Sequence, residues 1–150
     1  MMDMETEGPT VAGMWAPVRM RRRHPTRWWR YLFAQDYDVR TVRTMRAFLA
    51  KVDLPDEARW IDAATGDAAA AIGIAFKYSS LGLRRRNFDL AMTALAVCAF
   101  RGSAAARLVL AKQLHWLPDG GEAENRIADS WLALRFAANC ACRCGTDSTV

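Results

Sequence analysis

A chain of 150 residues and 16.8 kDa has the size of one average domain, large enough to bury a continuous core without disulfides or a metal to hold it together. Apolar residues at 52% against charged residues at 25% exclude wholesale disorder and a fibrous repeat. The formal charge of +5 suggests nucleic acid until its source is located, and that source is one short segment.

Residues 1–16, MMDMETEGPTVAGMWA, mix acids, Gly and Pro with no apolar period and are expected to form a mobile tail. Residues 17–30, PVRMRRRHPTRWWR, then carry six arginines (Arg19, Arg21, Arg22, Arg23, Arg27 and Arg30) and no acid. Without those six the chain holds 15 basic residues against 16 acids, so the rest of it is close to neutral. Arginine outnumbers lysine 18 to 3, which we read as the codon bias of a GC-rich genome, bacterial or viral. After the cluster, Tyr31, Leu32, Phe33 and Ala34 give way to Gln35 and Asp36, leaving no apolar segment of secretory length. Cytoplasmic residence is the expectation.

From Thr26, a candidate N-cap, RWWRYLFAQDYD suggests a short helix with Trp28, Trp29, Leu32 and Phe33 on one face. Asp38 can cap a helix over 39–52, where Val39, Val42, Met45, Leu49 and Val52 recur at helical steps with Arg40, Arg43 and Arg46 opposite. Pro55, Asp56 and Glu57 open a second helix that Gly66 stops. Further helices are expected over 67–78 and 88–100, separated by a turn at 79–87 that holds Gly82 and Arg84, Arg85 and Arg86. The run LAMTALAVCAF at 90–100 is far short of the roughly 20 residues that cross a bilayer and is expected to be a buried helix. Ser103 can cap a helix to Trp116, Pro118-Asp119-Gly120-Gly121 is a turn, and residues 122–138 form the last helix with Ile127, Trp131, Leu134 and Phe136. No strand alternation occurs, so the class is all-α. The expected organisation is a basic tail at 1–25, a helical domain at 26–139 and a flexible tail at 140–150.

A fixed period runs through the helices. Gly66 to Gly102 is 36 residues and Gly102 to Asn139 is 37, with Asn able to take the left-handed conformation that Gly otherwise supplies. Gly66-Asp67-Ala68 aligns with Gly102-Ser103-Ala104, Ile72 with Leu108, Asp89 with Asn125 and Ala91 with Ala128. With Gly73, Tyr78, Gly82, Trp131 and Ala137-Ala138, these residues resemble the Sel-one-like repeat, a branch of the tetratricopeptide-like helical repeats, over about 38–139. Trp60 followed by Ala63-Ala64 looks like the end of an earlier copy, while Ala94 and Val109 depart from the pattern's Trp and small residue. The resemblance implies a short right-handed α-solenoid of about three helix pairs and a scaffold or adaptor role. Stacked pairs of this kind share one core, since no pair buries its apolar face alone.

Catalytic signals are absent from the sequence: no phosphate-binding Gly loop, no serine elbow, and no partner at ligand spacing beside His24 or His115. Cys98 lies in the apolar run, and Cys140, Cys142 and Cys144 crowd the end too tightly for mutual disulfides, so reduced thiols, no metal and no cofactor are expected. The first expectation is therefore a non-enzymatic protein-protein interaction module: an adaptor, scaffold or inhibitor. Arg40, Arg43, Lys77, Tyr78 and Lys112 are its candidate contacts on the concave face. The second is a nucleic-acid-associated protein using Arg19, Arg21, Arg22, Arg23, Arg27, Trp28, Trp29 and Arg30, whose cations neutralise phosphates and whose indoles stack on bases. A homodimer covered at one end by Trp15, Trp28 and Trp29 is a further expectation.

Overall fold

A computed structural model describes residues 23–81 and 85–141, with side chains followed to Leu134 except Leu81. Among the described residues six α-helices follow one another: α1 Val39–Leu49, α2 Trp60–Thr65, α3 Ala68–Leu81, α4 Arg85–Phe100, α5 Ala104–His115 and α6 Glu122–Ala141. Two 3-10 helices, Pro25–Arg30 and Ala34–Asp36, precede them, and no strand occurs among the described residues. The fold is all-α. No described helix is long and apolar enough to cross a membrane.

The caps follow from the residues that the sequence offers. Asp38 accepts from the Thr41 amide at 2.6 Å and opens α1, Asp67 accepts from Ala70 at 3.0 Å and opens α3, and Ser103 accepts from Ala106 at 3.2 Å and opens α5. Gly66 and Gly102 hold φ of 117° and 107°, a region that side chains rarely adopt. In both turns the residue after the glycine donates back five residues, Asp67 to Asp62 and Ser103 to Cys98, before its own side chain caps the next helix. The two turns aligned in sequence thus share one geometry.

Helix α4 is the hub. Every residue from 89 to 99 is buried, and α4 packs against α1, α2, α3, α5 and the first 3-10 helix. Helices α3 to α6 each pack on the next. Helices α1 and α2 meet only narrowly, and α1 lies instead across α4. The first 3-10 helix also lies on α4, and the second packs on α6, so residues 25–37 form a strap over both. Its side chains Trp29, Leu32, Ala34 and Tyr37 belong to the core. Buried polar groups tie it down: the Thr93 hydroxyl lies 3.1 Å from the Thr26 carbonyl, and the Ala34 amide donates to Ser130 Oγ at 2.9 Å.

Several expected boundaries change. Residues 26–36 form two 3-10 turns in place of one helix, because Pro25 opens the first and Trp29 must turn inward to α4. The second helix starts at Trp60 and not near Pro55. Leu54 is buried and Trp60 Nε1 donates to the Val52 carbonyl at 2.8 Å, so residues 52–59 fold as turns around that indole. Helix α3 continues to Leu81 and α4 already starts at Arg85, which places Arg85, Arg86 and Asn87 in a helix and not in the expected turn. Asn139 does not stop the last helix, whose backbone continues to Ala141. Gly82, Arg84, the Phe136 and Cys140 side chains, Cys142, Cys144 and residues 1–22 lie outside the described residues.

Candidate functional site

The five proposed contact residues do not form one surface. Lys77 and Tyr78, on α3, both turn to Glu57: the Lys77 ammonium forms an ion pair with it, and the Tyr78 hydroxyl donates to the same Oε1 at 3.0 Å. Lys112 lies over the Trp116 ring, 4.4 Å from its centroid. Arg40 is exposed beside Asp38, whose carboxyl is held below its ordinary range chiefly by the Thr41 amide and hydroxyl, with Arg40 a smaller cause. Arg43 lines a different place, at the opposite end of α4 from Tyr78.

That place is an open groove of about 520 Å³ between α1, α2 and the C-terminal end of α4. Its floor and walls are Val42, Ala47, Ala64 and Phe100, and its cations are Arg43, Arg46 and Arg101. No acid lines it. Among the described residues Arg43 and Arg46 make no ion pair, and Arg101 is held only through Nη1, which donates to the Thr65 carbonyl at 3.3 Å. Val39, 66% exposed, stands at one lip. Ile61, 71% exposed, lies one helical turn before Thr65 and extends the same face of α2. Exposed aliphatic groups beside unneutralised guanidinium groups are a surface without an internal purpose.

A second cavity, of about 500 Å³, lies at the N-terminal end of α4. Trp29, Tyr78, Phe88 and Trp116 supply its aromatic walls, and Gln113, Asp89, Arg30, Arg85 and Asp119 its polar groups. Helix α4 has 16 residues, so roughly 24 Å of helix, at 1.5 Å per residue, separates the two cavities. Burial raises the Asp89 carboxyl above its ordinary range, opposed by Arg27, the Trp29 indole, Arg30 and Arg85. The indole N–H is turned toward Asp89 without closing a hydrogen bond of normal geometry.

Of the described part of the arginine and tryptophan segment, Trp29 is buried and Arg30 half-buried, while Arg23 and Arg27 are exposed. Trp29 is fully buried with its ring edge-on to Phe88 at 5.7 Å, so it has no face free to stack on a base. Arg27 approaches Asp89 at 3.8 Å, and Arg30 reaches Asp119 at 3.2 Å and Glu124 at 3.6 Å. Arg23 covers the Tyr31 ring, and Trp28, partly buried, donates from Nε1 to the Arg23 carbonyl. Arg19, Arg21 and Arg22 lie outside the described residues. Sequence reasoning missed Arg101, Gln113 and Trp116 as lining residues. Only Arg46 had a signal, its spacing of three from Arg43 on the polar face of α1.

Compared with models of protein families, with curated proteins and with solved structures, the chain matches none.

Proposed function

We propose that the chain is a non-enzymatic protein-interaction module, built on degenerate Sel-one-like repeats, whose α1/α2/α4 groove receives an acidic and partly apolar segment of a partner protein. One observation carries the reading: Arg43, Arg46 and Arg101 converge on an apolar groove that, among the described residues, no acid lines. Unneutralised guanidinium groups attract carboxylates and fix their orientation, and the aliphatic floor provides area to bury. The repeat reading is supported by the shared geometry of the Gly66 and Gly102 turns and by the consecutive packing of α3 to α6. Nucleic acid is the weaker reading, because Trp29 is buried and Arg27 and Arg30 are held in ion pairs with Asp89 and Asp119.

The test is fluorescence anisotropy with a labelled amphipathic peptide of alternating Glu-rich and Leu-rich turns, against the full chain and its Arg43→Glu/Arg46→Glu variant. Both positions are exposed, so the variant should keep the parent's thermal unfolding while its affinity falls at least about tenfold. Equal binding by both proteins would overturn the groove assignment. Retention of duplex DNA by the full chain, abolished by moderate salt, would favour the nucleic-acid reading instead.

A further inference from the structure

The second cavity is independent of the groove and carries an assignment of its own. Pockets that hold small molecules have volumes of about 300–1,000 Å³, mostly apolar walls and a few convergent polar groups, and the cavity at the N-terminal end of α4 has about 500 Å³ within four aromatic side chains. Its charges cancel on its own walls. Arg30 and Arg85 both hold Asp119, at 3.2 and 2.7 Å, and Asp89 faces Arg27 at 3.8 Å. A strongly charged ligand would therefore have to break an existing pair, and a neutral one would not.

What the walls leave unused is aromatic surface, one amide and two donors, Trp29 Nε1 and Arg30 Nε, which have no partner among the described residues. Trp116 lies at the mouth, 64% exposed, which is unusual for the largest side chain and leaves ring surface for a ligand. Gln113 is only 4% exposed, yet its Nε2 has just one distant partner, Ser79 Oγ at 3.5 Å, and its Oε1 accepts no hydrogen bond among the described residues. A primary amide with a free acceptor and a free N–H on a cavity wall can receive a complementary pair of hydrogen bonds. Its complement is another amide edge, an N–H next to a carbonyl, which forms two hydrogen bonds with it side by side. Tyr78 cannot serve as a competing donor, because its hydroxyl is already committed to Glu57.

We infer that this cavity binds a neutral, planar heteroaromatic ring bearing a lactam edge, paired to the Gln113 amide and stacked against Trp116. The class is that of hydroxylated purines, pyrimidinones and fused pyridones.

The probe is 2-quinolinone, a neutral bicyclic lactam, compared with its N-methyl derivative, which keeps the ring and loses the donor. Chemical-shift titration of the tryptophan indole N–H signals in the full chain reads the affinity. Saturable binding of 2-quinolinone is expected, with the N-methyl compound at least about tenfold weaker, the size of one paired edge. In Gln113→Leu, which preserves volume, the two compounds should bind alike. Trp116→Ala, at an exposed position that folding does not need, should weaken both compounds, and it keeps the test decisive if the Gln113 variant does not fold. No saturable shift with 2-quinolinone, or equal affinities for the two compounds in the parent, would overturn the assignment.

Discussion

Arg30 and Asp119 are 3.2 Å apart, and they join the strap that precedes the six described α-helices to the turn between α5 and α6. The Arg30 side chain is largely buried, and Glu124 stands 3.6 Å from the same nitrogen. Desolvation pushes the Asp119 carboxyl up, but Arg30, the residue's own backbone amide and Arg85 together outweigh it and hold the group below its ordinary range. The most basic stretch of the sequence is thus in part a clamp between the two ends of the fold.

Truncating that clamp should be costly in proportion to burial. Trp29→Ala removes a fully buried indole from between the strap and α4 and should destabilise by about 3–5 kcal/mol. Trp28→Ala, at a partly buried neighbour, should cost clearly less. Urea unfolding of the two variants checks the order. Similar midpoints would mean that the strap does not pack as a unit.

Tyr37 packs its ring 5.0 Å from Trp131 of α6 and 6.4 Å from Phe100 of α4, with a hydroxyl that has no partner among the described residues. Burial pushes that hydroxyl far above its usual titration range. An unmet buried donor costs about 1–3 kcal/mol. Tyr37→Phe keeps both ring contacts and removes that cost, so it should raise the unfolding midpoint. A lower midpoint would show that the hydroxyl is bonded in solution.

The helical class and most helix positions were legible because the signals are local: Asp38, Ser103, Gly66 and Gly102 each act within a few residues of the chain. The strap was not. The apolar face at 28, 29, 32 and 33 suggests one helix where two 3-10 turns form, and Trp29 is interior only because α4, some 60 residues later, supplies the surface for it. The candidate sites divide the same way. Arg43 and Arg46 share a visible helix face, whereas Arg101 joins them through the packing of α4 on α1. Gln113 and Trp116 meet Tyr78 and Phe88 only where α3, α4 and α5 come together, which no spacing announces.

The two glycine turns make a matched pair for mutation. Both hold positive φ near 110°, so alanine at either should cost at least about 1 kcal/mol in backbone strain. They differ in surroundings. A Cβ at Gly102 meets nothing within 4 Å, whereas one at Gly66 collides with the Arg101 guanidinium. The end of that side chain can swing away, so Gly66→Ala should lose about as much stability as Gly102→Ala but should displace Arg101 from the groove, weakening acidic-peptide binding where Gly102→Ala does not. Unchanged binding by Gly66→Ala would separate Arg101 from that site.

Asp89 and the capping aspartates give the stability curve opposite slopes. Burial raises the folded pKa of Asp89 above its ordinary value of 3.8, so its contribution is fully present below 3.8 and is lost as pH rises through the raised folded value. Asp38 and Asp67 are shifted down from 3.8, chiefly by the backbone hydrogen bonds of Thr41 and Ala70. Their contribution is present above 3.8 and is lost as pH falls through the lowered values. On acidification from neutral pH, Asp89 first raises stability as it takes up a proton, and the caps then lower it under more acid conditions. Asp89→Asn keeps the shape and abolishes the first of these effects. The variant should be at least as stable as the parent at pH 7, and its advantage should shrink as pH approaches 4. Urea melts of both proteins at several pH values measure the difference directly. A difference independent of pH would mean that Asp89 stays ionised throughout, with Arg27, Arg30 and Arg85 outweighing its burial.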